Sequence, residues 1–328
     1  MRIFSGIQPT GRKHLGNYIG AIRQYVEGQE RGESIYCVVD LHAITVPQDP
    51  AELRERVHDT TAILLAAGLD PDRCILFRQS DVAEHTELCW LLGTLTAWGD
   101  LNRMTQFKEK SAQQRELVSA GLFFYPVLQA ADVLAYRADE VPVGDDQRQH
   151  IELMRDVAER FNARFGDVLV VPEGRYPEVG ARIMNLQDPE TRMSTTYGSE
   201  QGTVYILDDA DTVANKIRSA VTDSGTEVRR APEKAGISNL IEIHAAVTGT
   251  AADEVERQFD GSGYGDFKAA VADAVVGYLA PVRERYAELR DDEAGLEATL
   301  AAGAEKARAI ASRTLADARE AMGVGAPR

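Results

Sequence analysis

Ile7-Gln8-Pro9-Thr10-Gly11-Arg12-Lys13-His14-Leu15-Gly16-Asn17 decides the fold. Before it, Ile3 to Ile7 is an apolar run of β character. After it, residues from Asn17 to about Glu30 repeat with helical period. A glycine-punctuated loop between a strand and a helix N-terminus is a phosphate site in α/β proteins. The first helical N–H groups have no internal partner, and the helix dipole favours an anion there. His14 and Asn17 place side-chain donors at the same end.

Outward from this loop, strand and helix signals alternate. Ser34 to Val39 and Cys74 to Phe77 are β-rich, Val141-Pro142-Val143 is short and apolar, and Leu169 to Val171 reads as a further strand. Asp49-Pro50-Ala51-Glu52 is a helix start, with Asp as N-cap, Pro at the first helical position and Glu completing a capping box. Leu53, Val57, Ala62, Leu64 and Leu65 supply that helix's apolar face. Helices are predicted from about Glu84 to Trp98 and from about Asp146 to Phe165. Trp90 and Trp98 fall on the first of these and are assigned to the core. Such alternation implies βαβ units and a parallel sheet, with ligands beyond the carboxyl ends of the strands. After about Asp208 strand signals stop. Asp211 to Ala220, Ile237 to Val247, Ala251 to Phe259, Phe267 to Leu289 and Gly303 to Met322 read as helices. The expectation is a Rossmann-like α/β domain over 1–207 and an all-helical domain over 208–328.

Composition narrows the class. A chain of 328 residues can bury a large core. No apolar run reaches the ~18 residues of a membrane span, and the chain opens on a strand rather than a leader, so no membrane partner is expected. Cys37, Cys74 and Cys89 lack metal spacing and read as free buried thiols of a cytoplasmic protein. The formal net charge of −16 speaks against broad DNA binding while leaving room for a local basic track on one folded RNA.

Three further strings carry chemistry. In Val141-Pro142-Val143-Gly144-Asp145-Asp146-Gln147, the glycine sits at a strand-to-helix turn where backbone can approach a ligand, and the acids occupy the first helical turn. In Tyr125-Pro126-Val127-Leu128-Gln129-Ala130-Ala131-Asp132-Val133-Leu134, one carboxylate stands among apolar residues. It either needs a partner from protein, water or ligand, or it faces solvent. Asp188-Pro189-Glu190-Thr191-Arg192-Met193-Ser194-Thr195-Thr196 on its own is an ordinary surface loop.

Together and in order, these strings resemble the class I aminoacyl-tRNA synthetases, and bacterial-type tryptophanyl-tRNA synthetases in particular. Pro-x-Gly-x-x-His-Leu-Gly-Asn resembles the HIGH signature. The segment Asp188–Thr196 lies where the family carries its mobile KMSKS loop, with Thr195 replacing the second lysine. Met104-Thr105-Gln106-Phe107-Lys108-Glu109-Lys110 and Val221-Thr222-Asp223-Ser224 are similar as well. The resemblance implies a tryptophan–tRNA ligase that uses ATP with Mg²⁺ and works as a homodimer, with tRNA(Trp) reaching across the subunits. It implies phosphate handling by His14, Asn17, Lys110 and Arg192. It assigns ATP to Gln8, Pro9, Thr10, Gly16 and Asn17, to Gly144, Asp145 and Asp146, to Ile183, and to Arg192, Met193, Ser194, Thr195 and Thr196. It assigns L-tryptophan to Asp132, Phe4, Gln8, Tyr125, Gln129, Val141, Val143 and Gln147, with Gln129 standing where many members have Met. The magnesium is held mainly by ATP, and no protein metal site is implied. His42 and His150 are read as partnered structural histidines.

The residues leave alternatives open. A phenol is also a donor that could satisfy Asp132, so tyrosyl ligation is a rival. A small nucleotidyltransferase shares the first loop but not a long helical region. A synthetase-like paralogue that binds tryptophan and ATP without efficient tRNA charging fits the loss of a cation at Thr195.

Overall fold

A computed structural model describes residues 1–105, 118–176, 183–194 and 198–326. Its centre is a five-stranded parallel sheet of β1 (Arg2–Ile7), β2 (Glu33–Val38), β3 (Cys74–Arg78), β4 (Glu140–Pro142) and β5 (Glu173–Arg175), in the order β3-β2-β1-β4-β5. Strand order reverses at β1. The crevice between β1 and β4 is therefore where an open α/β sheet takes its ligand.

The helices in chain order are α1 (Leu15–Asn17), running through a π-helical turn (Tyr18–Ile22) into α2 (Arg23–Gly28), then α3 (Asp40–Ala43), α4 (Pro50–Ala66), α5 (Glu84–Gly93), α6 (Trp98–Asn102), α7 (Ala120–Leu134) and α8 (Arg148–Phe165). Beyond β5 every described element is helical. These are α9 (Ala210–Arg218), α10 (Ala235–Thr248), α11 (Ala252–Gln258), α12 (Tyr264–Arg290) and α13 (Glu293–Met322).

Period-two alternation builds the layers. Tyr36, Val38 and Leu76 enter one core with α4, α10 and α12, while Ile35, Cys37 and Phe77 enter the other with α5, α7 and α8. The last helix returns to the sheet. Ala304, Ala307 and Ala311 of α13 lie in the second core, and a Cβ on Gly303 would stand 1.8 Å from the Leu76 carbonyl oxygen of β3. Only a glycine lets the helix come so close.

Three predicted details change. Asp49 caps α4 through the N–H groups of Ala51 and Glu52, but the Glu52 carboxylate pairs with Arg56 one turn on. Leu169 to Val171 is not a strand: Asn162 takes the N–H groups of Val168 and Leu169 and donates to the Leu169 carbonyl, so pairing starts only at Glu173. The Glu84 helix ends at Gly93, where Thr94 and Thr96 hydroxyls take the Leu91 and Leu92 carbonyls. Trp90 and Trp98 therefore lie on separate helices. Neither is core; they are 70% and 68% exposed.

Candidate active site

A cavity of about 320 Å³ opens at the β1–β4 crevice. From β1 and its loop come Phe4, Ser5, Gly6 and Gln8. From β4 and its turn come Val141, Pro142, Val143, Gly144 and Gln147. Tyr125, Gln129 and Asp132 reach in from α7 at helical spacing, and Gly20, Ala21 and Gln24 come from the π-helical turn and α2. All eight residues that the resemblance assigned to tryptophan line this one space. Gln129 turns its amide nitrogen to the Gln147 oxygen at 3.2 Å, and Tyr125 Oη lies 2.8 Å from His150 Nε2.

Asp132 is the chemical centre. It is buried at 2% exposure, which removes the solvent-facing reading. Oδ1 accepts from Gln79 Nε2 at 2.6 Å and from His85 Nδ1 at 2.6 Å, and Oδ2 from His42 Nε2 at 2.7 Å. Burial opposes the charge. The adjacent His42 and the hydrogen bonds from His42 and His85 outweigh it and hold the carboxyl well below the usual carboxylate range. A carboxylate offers about four acceptor sites. Three are filled by protein, which leaves Oδ2 room for one further donor, and Asp132 is among the residues that line the cavity. Around it Phe4, Val39, Val133, Val141 and Val143 are apolar. Such an arrangement has the shape and the acceptor to suit a flat ring with one directional N–H.

The N-terminal loop is locked before any ligand arrives. His14 Nδ1 accepts from Asn17 N–H at 3.3 Å and Asn17 Oδ1 accepts from His14 N–H at 3.1 Å, a reciprocal cap. Burial, and then the charge of Lys13, lower the His14 pKa to about 4. The ring is neutral at pH 7, and with Nδ1 accepting, its hydrogen sits on Nε2. Gly11 takes a left-handed φ of 64° at the turn. Lys13 is buried and donates to the Gln8 and Thr10 carbonyls at 2.8 and 3.1 Å, and burial lowers its pKa to about 8. Arg12 lies over the Tyr205 ring and pairs with Glu200 and Asp208 at 2.9 and 2.8 Å, while Lys216 reaches the same Asp208 at 2.7 Å.

These contacts bring the first and fourth strings together. Leu15 N–H bonds to Val204 O, and Ile206 N–H to Lys13 O. Ile183 and Met193 pair through backbone at 3.0 Å, are both buried, and share a core with Leu15. A Cβ on Gly16 would meet Ile183 at 3.5 Å. Arg192 is exposed, and Ser194 half-buried, at the mouth of this hairpin. Pro9, Thr10, Gly16 and Asn17 are not among the residues that line the cavity, nor are Asp146, Ile183, Arg192, Met193 and Ser194. Lys110, Thr195, Thr196 and the Asp145 side chain fall outside the described residues.

Sequence reading missed Gln79, His85 and Tyr136, and it gave His42 a structural role although it lines the cavity. No local pattern marks them. They come from four separate places, α3, the turn after β3, α5 and the stretch just beyond α7, and meet only in the folded chain.

Sheet order, the crevice cavity and the capped glycine loop define a class I aminoacyl-tRNA synthetase fold. Residues 1–280 match the family described as tRNA synthetases class I (W and Y), and the chain belongs to that family. It is 52% identical over 325 residues to tryptophan–tRNA ligase 2 of Streptomyces avermitilis, covering 98% of this chain and 96% of that one. The fold is similar to tryptophanyl-tRNA synthetase from Mycoplasma pneumoniae, with TM-score 0.91 and 36% identity over 99% of this chain and 98% of that chain. It is also similar to the Campylobacter jejuni enzyme complexed with ADP and tryptophan, with TM-score 0.85 and 36% identity over 99% and 100% of the two chains.

Proposed function

We propose that the protein is a tryptophan–tRNA ligase. ATP and L-tryptophan give tryptophanyl-adenylate and pyrophosphate, and the aminoacyl group then passes to the 3′ end of tRNA(Trp). The observation that carries this reading is the buried Asp132, held by three protein donors, with capacity for one more, in the wall of a largely apolar slot. The naming of the relatives as tryptophan enzymes supports it. The ADP and tryptophan held by the Campylobacter relative support ATP as the nucleotide.

No protein nucleophile is needed. Tryptophan carboxylate attacks the α-phosphorus, the bond to the β-phosphate oxygen breaks, and pyrophosphate leaves. The protein aligns the two substrates and stabilises charge on the phosphates. The His14 Nε2–H, the α1 N-terminus and Asn17 would offer the phosphates neutral donors, Arg192 and Lys110 would supply positive charge, and Mg²⁺ carried on ATP would add to it when bound. Gly144, Asp145 and Asp146 take the ribose and base. Thr195 offers one neutral donor where family members place an ammonium, so the rest of the set carries that load.

The wider assignments rest on less. Residues 1–207 form the catalytic part, and the helical region 208–328 contacts the tRNA anticodon. Three free, buried cysteines support a reducing cytoplasm, and no helix among the described residues is long and apolar enough to cross a membrane. Homodimerisation is supported by the exposed tryptophans of α5 and α6, both of which pack beside α7.

The test is exchange of labelled pyrophosphate into ATP. Tryptophan is expected to drive it and tyrosine is not, since a hydrogen-bonding slot rejects a misfit by several powers of ten. Equal stimulation by tyrosine overturns the tryptophan assignment. Exchange without acid-precipitable tryptophanyl-tRNA would favour the paralogue that activates without charging.

A further inference from the structure

Asp132 reads a ring N–H only if its carboxylate cannot turn. A terminal carboxylate torsion is broad unless something grips it. Neither Gln79 nor His85 lines the cavity, yet both hold Oδ1. We infer that His85, with Tyr136 behind it, is the positioning pair that fixes the Asp132 carboxylate with an Oδ2 lone pair turned to the substrate ring N–H. This rests on the reading that Asp132 receives that N–H.

The direction of each hydrogen bond follows from the partners. An ionised carboxylate only accepts, so His85 Nδ1 carries hydrogen toward Oδ1 at 2.6 Å. The other nitrogen of a neutral ring is then an acceptor, and Tyr136 Oη stands 2.7 Å from it. Burial pushes the Tyr136 phenol well above its ordinary value, so it stays a donor. With His85 in the neutral tautomer that donates from Nδ1, the chain runs one way, from Tyr136 to His85 to Asp132. Without the phenol, the imidazole hydrogen is free to sit on Nε2. Nδ1 would then set a lone pair against the carboxylate.

Packing holds the pair still. His85 and Tyr136 are fully buried. The His85, Phe77 and Tyr136 rings form one mutual cluster, with His85 5.7 Å from Phe77 and 5.4 Å from Tyr136, and Phe77 5.8 Å from Tyr136, centroid to centroid. Tyr136 in turn stacks on Phe4 at 5.3 Å with planes 13° apart. Phe4 is a wall of the cavity, so the relay and the ring slot share one aromatic stack. A change behind the wall is felt as a change in how Asp132 is presented.

The experiment uses the full chain in pyrophosphate exchange, with tryptophan and with the analogue in which the indole N–H is replaced by sulfur (benzothienyl-alanine). His85→Ala is expected to raise KM for tryptophan about tenfold or more, the scale of one buried hydrogen bond to a charged group, while KM for ATP moves less than about twofold. The preference for tryptophan over the sulfur analogue should shrink by a similar factor. His85→Asn, whose amide N–H reaches the place of Nδ1–H, should recover most of the loss. Tyr136→Phe should fall between the two.

Asp132→Asn separates the two levels. Normal tryptophan kinetics in that variant would overturn the reading of the slot itself. Impaired Asp132→Asn with unchanged preference in both His85→Ala and Tyr136→Phe would overturn the positioning role alone. So would equal rises in both KM values, or no recovery in His85→Asn, because a merely structural loss does not select the ring N–H. If His85→Ala does not fold, the Asn and Phe variants carry the comparison.

Discussion

At the scale of single residues, charge placement decides the site. Three donors within 2.7 Å keep Asp132 ionised in an apolar wall. Asp132→Ala removes the acceptor and should weaken tryptophan use by about 2–4 kcal/mol in kcat/KM, with KM for ATP little changed. Unaltered tryptophan kinetics would rule the contact out. His14 gives a pH signature. Its folded pKa is about 4 against an ordinary 6.5, so between these values the unfolded chain binds the extra proton. The stability tied to neutral His14 is complete above about pH 6.5 and is lost as pH falls toward 4, on the order of 3 kcal/mol in all. His14→Asn keeps an N-cap oxygen and should flatten that dependence. Denaturant unfolding at pH 7 and pH 4.5, wild type beside variant, checks it. An equal acid loss in both proteins would place the sensitivity elsewhere.

At the scale of elements, close approach matters more than propensity. Helix α13 crosses β3 at Gly303, where a Cβ would overlap the Leu76 carbonyl. Gly303→Ala should lower stability by about 1–3 kcal/mol because helix and strand must part. Gly277 sits on the exposed face of α12, with open space where a Cβ would be. Gly277→Ala should raise stability by about 0.5–1 kcal/mol through helix propensity alone. The pair of melting temperatures tests the packing, since the same substitution is expected to act with opposite sign. Asp49 shows the local rule intact. Its cap bonds to Ala51 and Glu52 are the ones the sequence announces, although the reciprocal bond from Glu52 is given up to Arg56.

At the scale of the whole molecule, exposed apolar surface needs a cover. Trp90 and Trp98 leave about two-thirds of their surface open, and Trp98 lies beside Phe123 with ring centroids 6.2 Å apart. Large exposed aromatics concentrate at association surfaces. The protein is expected to sediment as a homodimer at micromolar concentration, and Trp90→Glu with Trp98→Glu should shift it to the 35.9 kDa monomer. A wild-type monomer would refute the dimer. An unmoved dimer in the double variant would place the interface on another face.

The sequence by itself determined the parallel α/β class, the glycine loop between β1 and the first helix, the start of α4 and the helical second half. Each is written in neighbours a few residues apart, as glycine and cap spacing or as periods of two and 3.6. Through resemblance it also named eight residues for tryptophan, from Phe4 to Gln147, and all eight line the cavity. Tertiary structure decided the rest. Asp132 could have faced water. Its burial depends on His42 from α3, Gln79 after β3 and His85 from α5, which lie 90, 53 and 47 residues away along the chain. The tryptophans show the reverse error, because hydrophobic character says that a residue is apolar and not which neighbour will cover it. Local chemistry sets the elements, but long-range contact sets which polar atoms are left with one acceptor to offer, and that acceptor makes the site.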